Sequence, residues 1–246
     1  MDRHSRAPVV SFYCADILAV GEVRLEGPPV QHARARRVDR GDTARLTDGK
    51  GRIGFGEILT VGKGELRISI ENIEIMSRPM PLDVIVPVAD RERMLVAAEK
   101  CVELQVTAWR PAYFARSRSV SPRGEGVKFR EKLKSRMESA LEQSGGAWMP
   151  EIHEEREAGD AMKSVSADWT RFFLDAGGAP LASRVGRREV ALAVGPEGGF
   201  ERQEIVAAER LGWTAASIAE TTLRFETAII AGVAVVRAAQ LSLRSV

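Results

Sequence analysis

Two short stretches carry residue types that could do chemistry. The first is Val194-Gly195-Pro196-Glu197-Gly198-Gly199-Phe200. Gly198 and Gly199 can take left-handed backbone angles and let another group approach the main chain, while Pro196 fixes one φ. An apolar, β-branched run, Glu189–Val194, precedes the stretch, and ERQEIVAAERL, stopped by Gly212, follows it with helical character. Strand, glycine turn and helix together present backbone N–H groups and a helix N-terminus at one sheet edge, where a ligand can be held. The same residues would serve as a plain turn. They are neither a GxGxxG fingerprint nor a phosphate loop, since no Lys-Ser/Thr pair follows. The second stretch is Ala219-Glu220-Thr221-Thr222-Leu223-Arg224-Phe225-Glu226-Thr227-Ala228. It leaves a strand at Thr214–Ile218 and enters a C-terminal helix, repeating the arrangement of the first. Two such loops on neighbouring strands would make one crevice. Arg224 is placed to bind or polarise an electron-rich group, whereas Glu226 and Thr227 also suit capping and dipole compensation at a helix start. These spacings do not by themselves name a reaction.

The elements that must position these loops follow from periodicity. Residues 1–76 read as β-rich, with strands at Val9–Tyr13, Thr43–Leu46, Ile53–Leu59 and Leu66–Ile73 and turns at Asp48-Gly49 and Gly62-Lys63-Gly64. QHARARRVDRGD between them predicts a short helix ending at Gly41. This spacing fits a compact barrel of about five or six strands. Ser77-Arg78-Pro79-Met80-Pro81 is a stiff linker, placing a domain boundary between residues 76 and 77. Beyond it strands and helices alternate: strand Leu82–Val88, helix Arg91–Val106, strand Trp109–Tyr113, and a helix carrying Phe129, Leu133, Met137 and Leu141 that Gly145-Gly146 ends. Strand Thr170–Asp175, the two stretches above and a final helix, Glu226–Leu243, complete residues 77–246. The pattern predicts an α/β domain with a mainly parallel sheet.

Composition narrows the function classes. A chain of 246 residues with 28% charged and 44% hydrophobic residues is ordinary for a globular protein. No apolar run is expected to approach the roughly 20 residues that span a bilayer, and MDRHSRAPVV lacks the apolar core of a signal peptide. Cys14 and Cys101, and His4, His32 and His153, form no ligand-spaced group, so the expectation is a cytoplasmic protein without a metal or a membrane. Net charge is only +2, yet nine Lys or Arg against two acids fall between Arg110 and Arg136. Such a local excess suits nucleic acid, and suits a solvated loop and helix face as well. Arg34, Arg36, Arg37 and Arg40 form a smaller cluster that could touch phosphate.

Gly195-Pro196-Glu197-Gly198-Gly199 followed by Leu223-Arg224-x-Glu226-Thr227-Ala228 resembles the RsmE family, the uridine-N3 methyltransferases of small-subunit (16S) ribosomal RNA in the SPOUT superfamily. The resemblance extends to His32 through Gly41-Asp42 and Asp48-Gly49, to Glu99-Lys100 and Glu103-Leu104, to Pro111 and Arg116, and to Glu142-Gln143-Ser144 and Pro150. It implies a PUA-like β-barrel that binds RNA, then a SPOUT domain whose C-terminal part is tied in a trefoil knot. It implies S-adenosylmethionine held in that knot by three loops: one at Leu174, one at Gly195, Pro196, Glu197, Gly198 and Gly199, and one from Ile218 to Leu223 with Arg224 beside it. It implies a homodimer with the active site at the subunit interface, acting on ribosomal RNA or the small ribosomal subunit.

The implied reaction sets physical demands. N3 of uridine lies on the Watson–Crick edge, so the base must be unpaired or flipped to meet a methyl donor. Its N3–H must be removed, and the charge that develops on O2 and O4 calls for a fixed cation. Arg224 is the candidate cation, and Glu197 or Glu226 the candidate proton acceptor. Arg34, Arg37, Arg116, Arg118, Arg123 and Lys128 would grip RNA phosphates in a salt-sensitive way. The sequence departs from the family where Ala219 and Thr221 replace a Gly and an Arg, where Gln105 replaces the Gly of Glu-Leu-Gly, and where Gly146 and Ala115 replace an Arg and an acid.

Overall fold

The computed structural model describes residues 10–15, 19–119 and 122–244, with the side chains of residues 118, 119 and 244 outside that description. Val9, expected to open the first strand, and His4 also lie outside the described residues. The chain divides into two compact units, Met1–Arg78 with Glu138–Met149, and Pro79–Met137 with Pro150–Val246. The return of 138–149 to the first unit is not contained in a single boundary at 76/77.

In the first unit, strands β1 (Val10–Tyr13), β2 (Gly21–Glu26), β3 (Thr43–Thr47), β4 (Arg52–Val61) and β5 (Glu65–Ile75) form a sheet in the order β1-β3-β4-β5-β2. β1 pairs with β3 in parallel and the other neighbours are antiparallel. Alternation drives most of this: Phe12, Ile58, Leu66 and Ile68 are fully buried while their strand neighbours are at least partly exposed, and in β3 Leu46 is buried together with Ala44, Arg45 and Thr47. β2 was not expected from the sequence, although Val23 and Leu25 alternate with Glu22, Arg24 and Glu26 as an edge strand should. Helix α1 (Pro28–Ala35) begins and ends earlier than expected. Two prolines suit its first turn. It stops where Arg37 takes φ 54, and Val38 N–H returns to the Ala33 carbonyl at 2.9 Å, so Gly41 is not its terminator. The 138–149 segment joins this unit through polar contacts. Glu142 accepts from Tyr13 N–H at 2.7 Å and faces His32 Nδ1 at 3.1 Å, and Gly51 N–H donates to the Ala147 carbonyl at 2.8 Å.

The second unit contains β6 (Leu82–Pro87), α2 (Arg91–Glu103), β7 (Ala108–Tyr113), α3 (Val127–Ser144, whose last part belongs to the first unit), β8 (Glu151–Ile152), β9 (Arg156–Glu157) and α4 (Ala158–Lys163). β10 (Thr170–Pro180), β11 (Val190–Ala193), α5 (Arg202–Arg210), β12 (Thr214–Ser217) and α6 (Phe225–Arg244) complete it. Its sheet has seven strands, in the order β12-β10-β11-β6-β7-β8 with β9 also on β7, and every pairing is parallel. β6 and β11 are buried along their whole length, as parallel strands covered on both faces must be. β10 runs to Pro180, beyond the expected Asp175, because Leu174 and Ala179 both pair with Ala216 and the residues between them make an excursion.

α6 corrects one expectation. Phe225–Leu243 is long and apolar enough, by length and composition, to cross a membrane. One face of it packs on α2 and β6, with Ile229, Val233 and Val236 fully buried. Its buried Arg237 donates to the carbonyls of Met80 (2.7 Å), Leu104 (3.1 Å) and Gln105 and to the Gln240 side chain (2.6 Å). These bonds fix the turn after α2, where Gln105 takes φ 57, a left-handed angle that favours glycine. The glycine that the family resemblance places there therefore has a backbone reason. Gln105→Gly is expected to raise unfolding stability by about 1 kcal/mol in urea titrations, the relief of a left-handed side chain less the flexibility gained by the unfolded chain.

Candidate functional site

The C-terminal ends of β10, β11 and β12 open onto one pocket of about 380 Å³. Its walls are Leu174, Asp175 and Ala176 at the break within β10, Val194 to Phe200 after β11, Ala216 to Ala219 at the end of β12, then Thr221, Thr222, Leu223, Phe225 and Ala228. The expected crevice between two neighbouring strands is corrected here. β11 and β12 are not adjacent, because β10 lies between them and pairs with both. Three loops rather than two therefore meet, and the β10 loop forms the middle of the site.

Each loop has a local cause. Gly199 N–H donates to the Pro196 carbonyl at 2.8 Å, closing a tight turn, and Gly199 takes φ 71 with open space where a Cβ would stand. Gly195 is bare for a different reason: a Cβ there would lie 3.0 Å from the Phe200 ring, which stands edge-on to Phe114 and Phe173 at 5.3 and 5.6 Å. The start of α5 differs from expectation. Glu201 accepts from the N–H of Glu204, and the Glu204 carboxylate accepts from Glu201 N–H at 2.8 Å, so the helix caps itself instead of offering those N–H groups to a ligand. The ligand-facing donors belong to the glycine loop before it.

Of the residues the sequence singled out for cofactor binding, Leu174, Gly195, Pro196, Glu197, Gly198, Gly199, Ile218 and Leu223 all line this pocket, and Arg224 does not. Arg224 is exposed beside it, between the lining residues Leu223 and Phe225. Glu226 is also outside the lining. Its Oε1 stands 4.0 Å from Arg93 Nε, and its Oε2 is buried without a hydrogen-bond partner among the described residues. Glu197 pairs with Arg93 Nη1. Arg93, Asp175 and Ser217 carry no motif of their own and reach the site through strand order and helix placement. Ala219 and Thr221 both line the pocket. Ala219 is not among the positive-φ residues, so its methyl costs no backbone strain and only takes volume.

The basic segment is largely paired within the chain. Arg110 meets Asp83 at 2.8 Å, Arg123 meets Glu125 at 2.9 Å, Arg130 lies with Glu154 and Glu155, and Arg136 meets Glu99 at 3.3 Å. A hydrogen bond from Lys132 holds the Glu92 carboxyl below the usual carboxylate range, and one from Lys100 does the same for Glu99, with Arg136 adding to it. Arg116 donates to the Gly198 carbonyl. Lys128 is exposed, and the Arg118 side chain lies outside the described residues. In the first unit Arg34 donates to the Gly62 carbonyl at 2.9 Å, and Arg37 is exposed.

The sequence profile of the RNA methyltransferase domain family matches residues 76–237, and the chain belongs to that family. The relatives carry more particular names. The ribosomal RNA small subunit methyltransferase E of Synechocystis is 24% identical over 202 residues, which cover 79% of this chain and 65% of that protein. The structure of a ribosomal RNA small subunit methyltransferase E from Neisseria gonorrhoeae, bound to S-adenosyl methionine, is similar with a TM-score of 0.84 and 26% identity, covering 94% of this chain and 98% of that one. A probable rRNA methyltransferase from Porphyromonas gingivalis is similar with a TM-score of 0.80 and 26% identity over 95% and 99% of the two chains.

The packing of the glycine loop gives a direct expectation. Gly195→Ala forces its new methyl against Phe200 and should lower stability by about 1–3 kcal/mol, read as a lowered urea midpoint. Gly199→Ala meets no neighbour and should show only the cost of its left-handed angle, about 1 kcal/mol.

Proposed function

We propose that the protein is an S-adenosylmethionine-dependent RNA methyltransferase that methylates N3 of a uridine in small-subunit ribosomal RNA. The observation that carries this reading is the pocket in which the Gly195–Gly199 and Ile218–Leu223 loops meet around Leu174, in a chain similar over nearly its whole length to a methyltransferase bound to the methyl donor. The lining fits that group. Glycine and other small residues leave backbone groups accessible, Leu174, Val194, Ile218 and Leu223 offer apolar walls, and about 380 Å³ is within the range of pockets for small ligands. S-adenosylmethionine supplies an electrophilic methyl group.

This chain's own residues must then orient the base and handle charge and proton. Arg224, exposed at the rim, is placed to stabilise the negative charge that spreads onto O2 and O4 as N3–H is lost. Glu197 lines the pocket and remains the nearer candidate proton acceptor, with Glu226 the alternative. The five-stranded first unit is read as a PUA-like RNA-binding barrel, with Arg34, Arg37 and Lys128 the exposed cations offered to phosphate. The excursion of β10 between Leu174 and Ala179, both paired to Ala216, supports a trefoil knot around the site. A homodimer is supported by the outward stripe of α6, Ile230, Ala231, Ala234, Val235, Ala238 and Leu241, which is uncharged and partly or fully exposed. The cytoplasm, where ribosomal subunits are assembled, is the corresponding site of action. A second reading, an RNA-binding protein of this fold without catalysis, is favoured by one observation: Ala219 and Thr221 stand in the pocket wall where the family carries Gly and Arg.

Calorimetric titration with S-adenosylmethionine separates the two. Micromolar binding, about −8 kcal/mol, is expected for the enzyme. Under the second reading the wild type does not bind, and Ala219→Gly with Thr221→Arg restores binding. With 16S rRNA as substrate and mass mapping of the product, Arg224→Ala is expected to lower kcat by about 100-fold or more while leaving RNA affinity unchanged. Ala234→Glu on α6 should convert a dimer to a monomer in sedimentation velocity.

A further inference from the structure

The glycine loop is held from two sides by side chains that belong to neither motif. Arg93, in the first turn of α2, has its backbone N–H accepted by the N-cap Asp90 at 3.0 Å, which fixes where its side chain starts. Its guanidinium pairs with Glu197 in the loop and lies 4.0 Å from Glu226 in the first turn of α6. One cation thus spans the β11 loop and the helix that leaves the β12 loop. Arg116, in the 3-10 turn after β7, donates to the Gly198 carbonyl and lies 3.8 Å from Glu201. Its stem runs against the loop, since a Cβ at Gly198 would stand 2.9 Å from Arg116 Cδ and 3.3 Å from its Cβ. Gly198 is therefore bare on account of Arg116, not only for a ligand.

We propose that Arg93 and Arg116 are positioning residues that fix the 195–199 loop in the conformation that receives the methyl donor, and that Arg116 acts on this loop and not on RNA phosphate. The proposal rests on the reading that this pocket takes S-adenosylmethionine. Glu197 is about half exposed and Arg93 about a third, at 51% and 34%, so the pair is worth a modest amount where screening is strong. Glu226, at 15%, is the less screened end of the bridge.

The test combines hydrogen exchange at the amides of residues 195–200 with calorimetric binding of S-adenosylmethionine, on the full chain and its variants. Protection of the β6 amides identifies the folded variants. Arg93→Ala and Glu197→Ala are each expected to speed exchange in the loop and weaken donor binding about fivefold, and the double variant to be no worse than either single. Arg116→Ala should do the same and Arg116→Lys should recover most of the loss, with the salt dependence of RNA binding unchanged. Unchanged loop exchange in Arg93→Ala, or a double variant whose loss is the product of the two singles, overturns the role of Arg93. Unchanged loop exchange in Arg116→Ala, with a salt slope lower by about one, makes Arg116 a phosphate contact instead. A wild type that binds no S-adenosylmethionine sinks the functional reading, and the exchange rates alone then decide the clamp.

Discussion

The close approach of two backbones at Gly178 and Ala216 is the constraint on which the site depends. β10 pairs with β12 at Leu174, leaves the ladder, and rejoins it at Ala179 opposite the same Ala216. A Cβ at Gly178 would meet Ala216 N at 2.5 Å, so only a glycine lets the strand return over its neighbour. Because β10 remains between β11 and β12, the three strands deliver their loops to one sheet edge. The pocket is the space left where those loops turn away, which is why its wall is mostly main chain and small side chains.

Much of the architecture could be read from residue patterns. The continuous apolar runs of β6 and β11 require burial on both faces, and the spacing of Phe129, Leu133, Met137 and Leu141 requires a helix with one inner face. What could not be read are relations between distant segments. Strand order is one: the two conspicuous loops follow β11 and β12, and nothing in their residues says that β10 separates them. The return of Glu138–Met149 to the first unit is another, made by single hydrogen bonds such as Glu142 to Tyr13 N–H. Arg93 is a third, one arginine among many until α2 sets its first turn beside the loop. β2 is legible only in its alternation, since its charged residues Glu22, Arg24 and Glu26 leave two apolar positions, Val23 and Leu25. In the site, the Gly195–Gly199 loop is legible from its glycines between strand and helix and Leu174 from the family resemblance, whereas Asp175 and Ser217 enter through backbone path alone.

The charges of the segment from Arg110 to Arg136 show how little a local excess says about a partner. Four of these cations, Arg110, Arg130, Lys132 and Arg136, are satisfied by acids that lie far away in sequence: Asp83 in β6, Glu154 and Glu155 after β8, and Glu92 and Glu99 in α2. A count along the chain sees nine bases and two acids, whereas the fold supplies the missing acids from elsewhere. The exposed pairs among them contribute little each, but together they remove the segment as an undivided cationic surface.

Arg237 has a consequence for how the chain is made. Its guanidinium holds the carbonyls of Met80, Leu104 and Gln105, which are synthesised more than a hundred residues earlier. β6, α2 and the turn after them therefore emerge from the ribosome with main-chain acceptors and an apolar surface that only α6 can satisfy. At typical synthesis rates of about 5–20 residues per second, that interval lasts roughly 7 to 30 seconds. The second unit is thus expected to close after translation has passed α6, while the first unit needs nothing beyond Met149 and can close sooner.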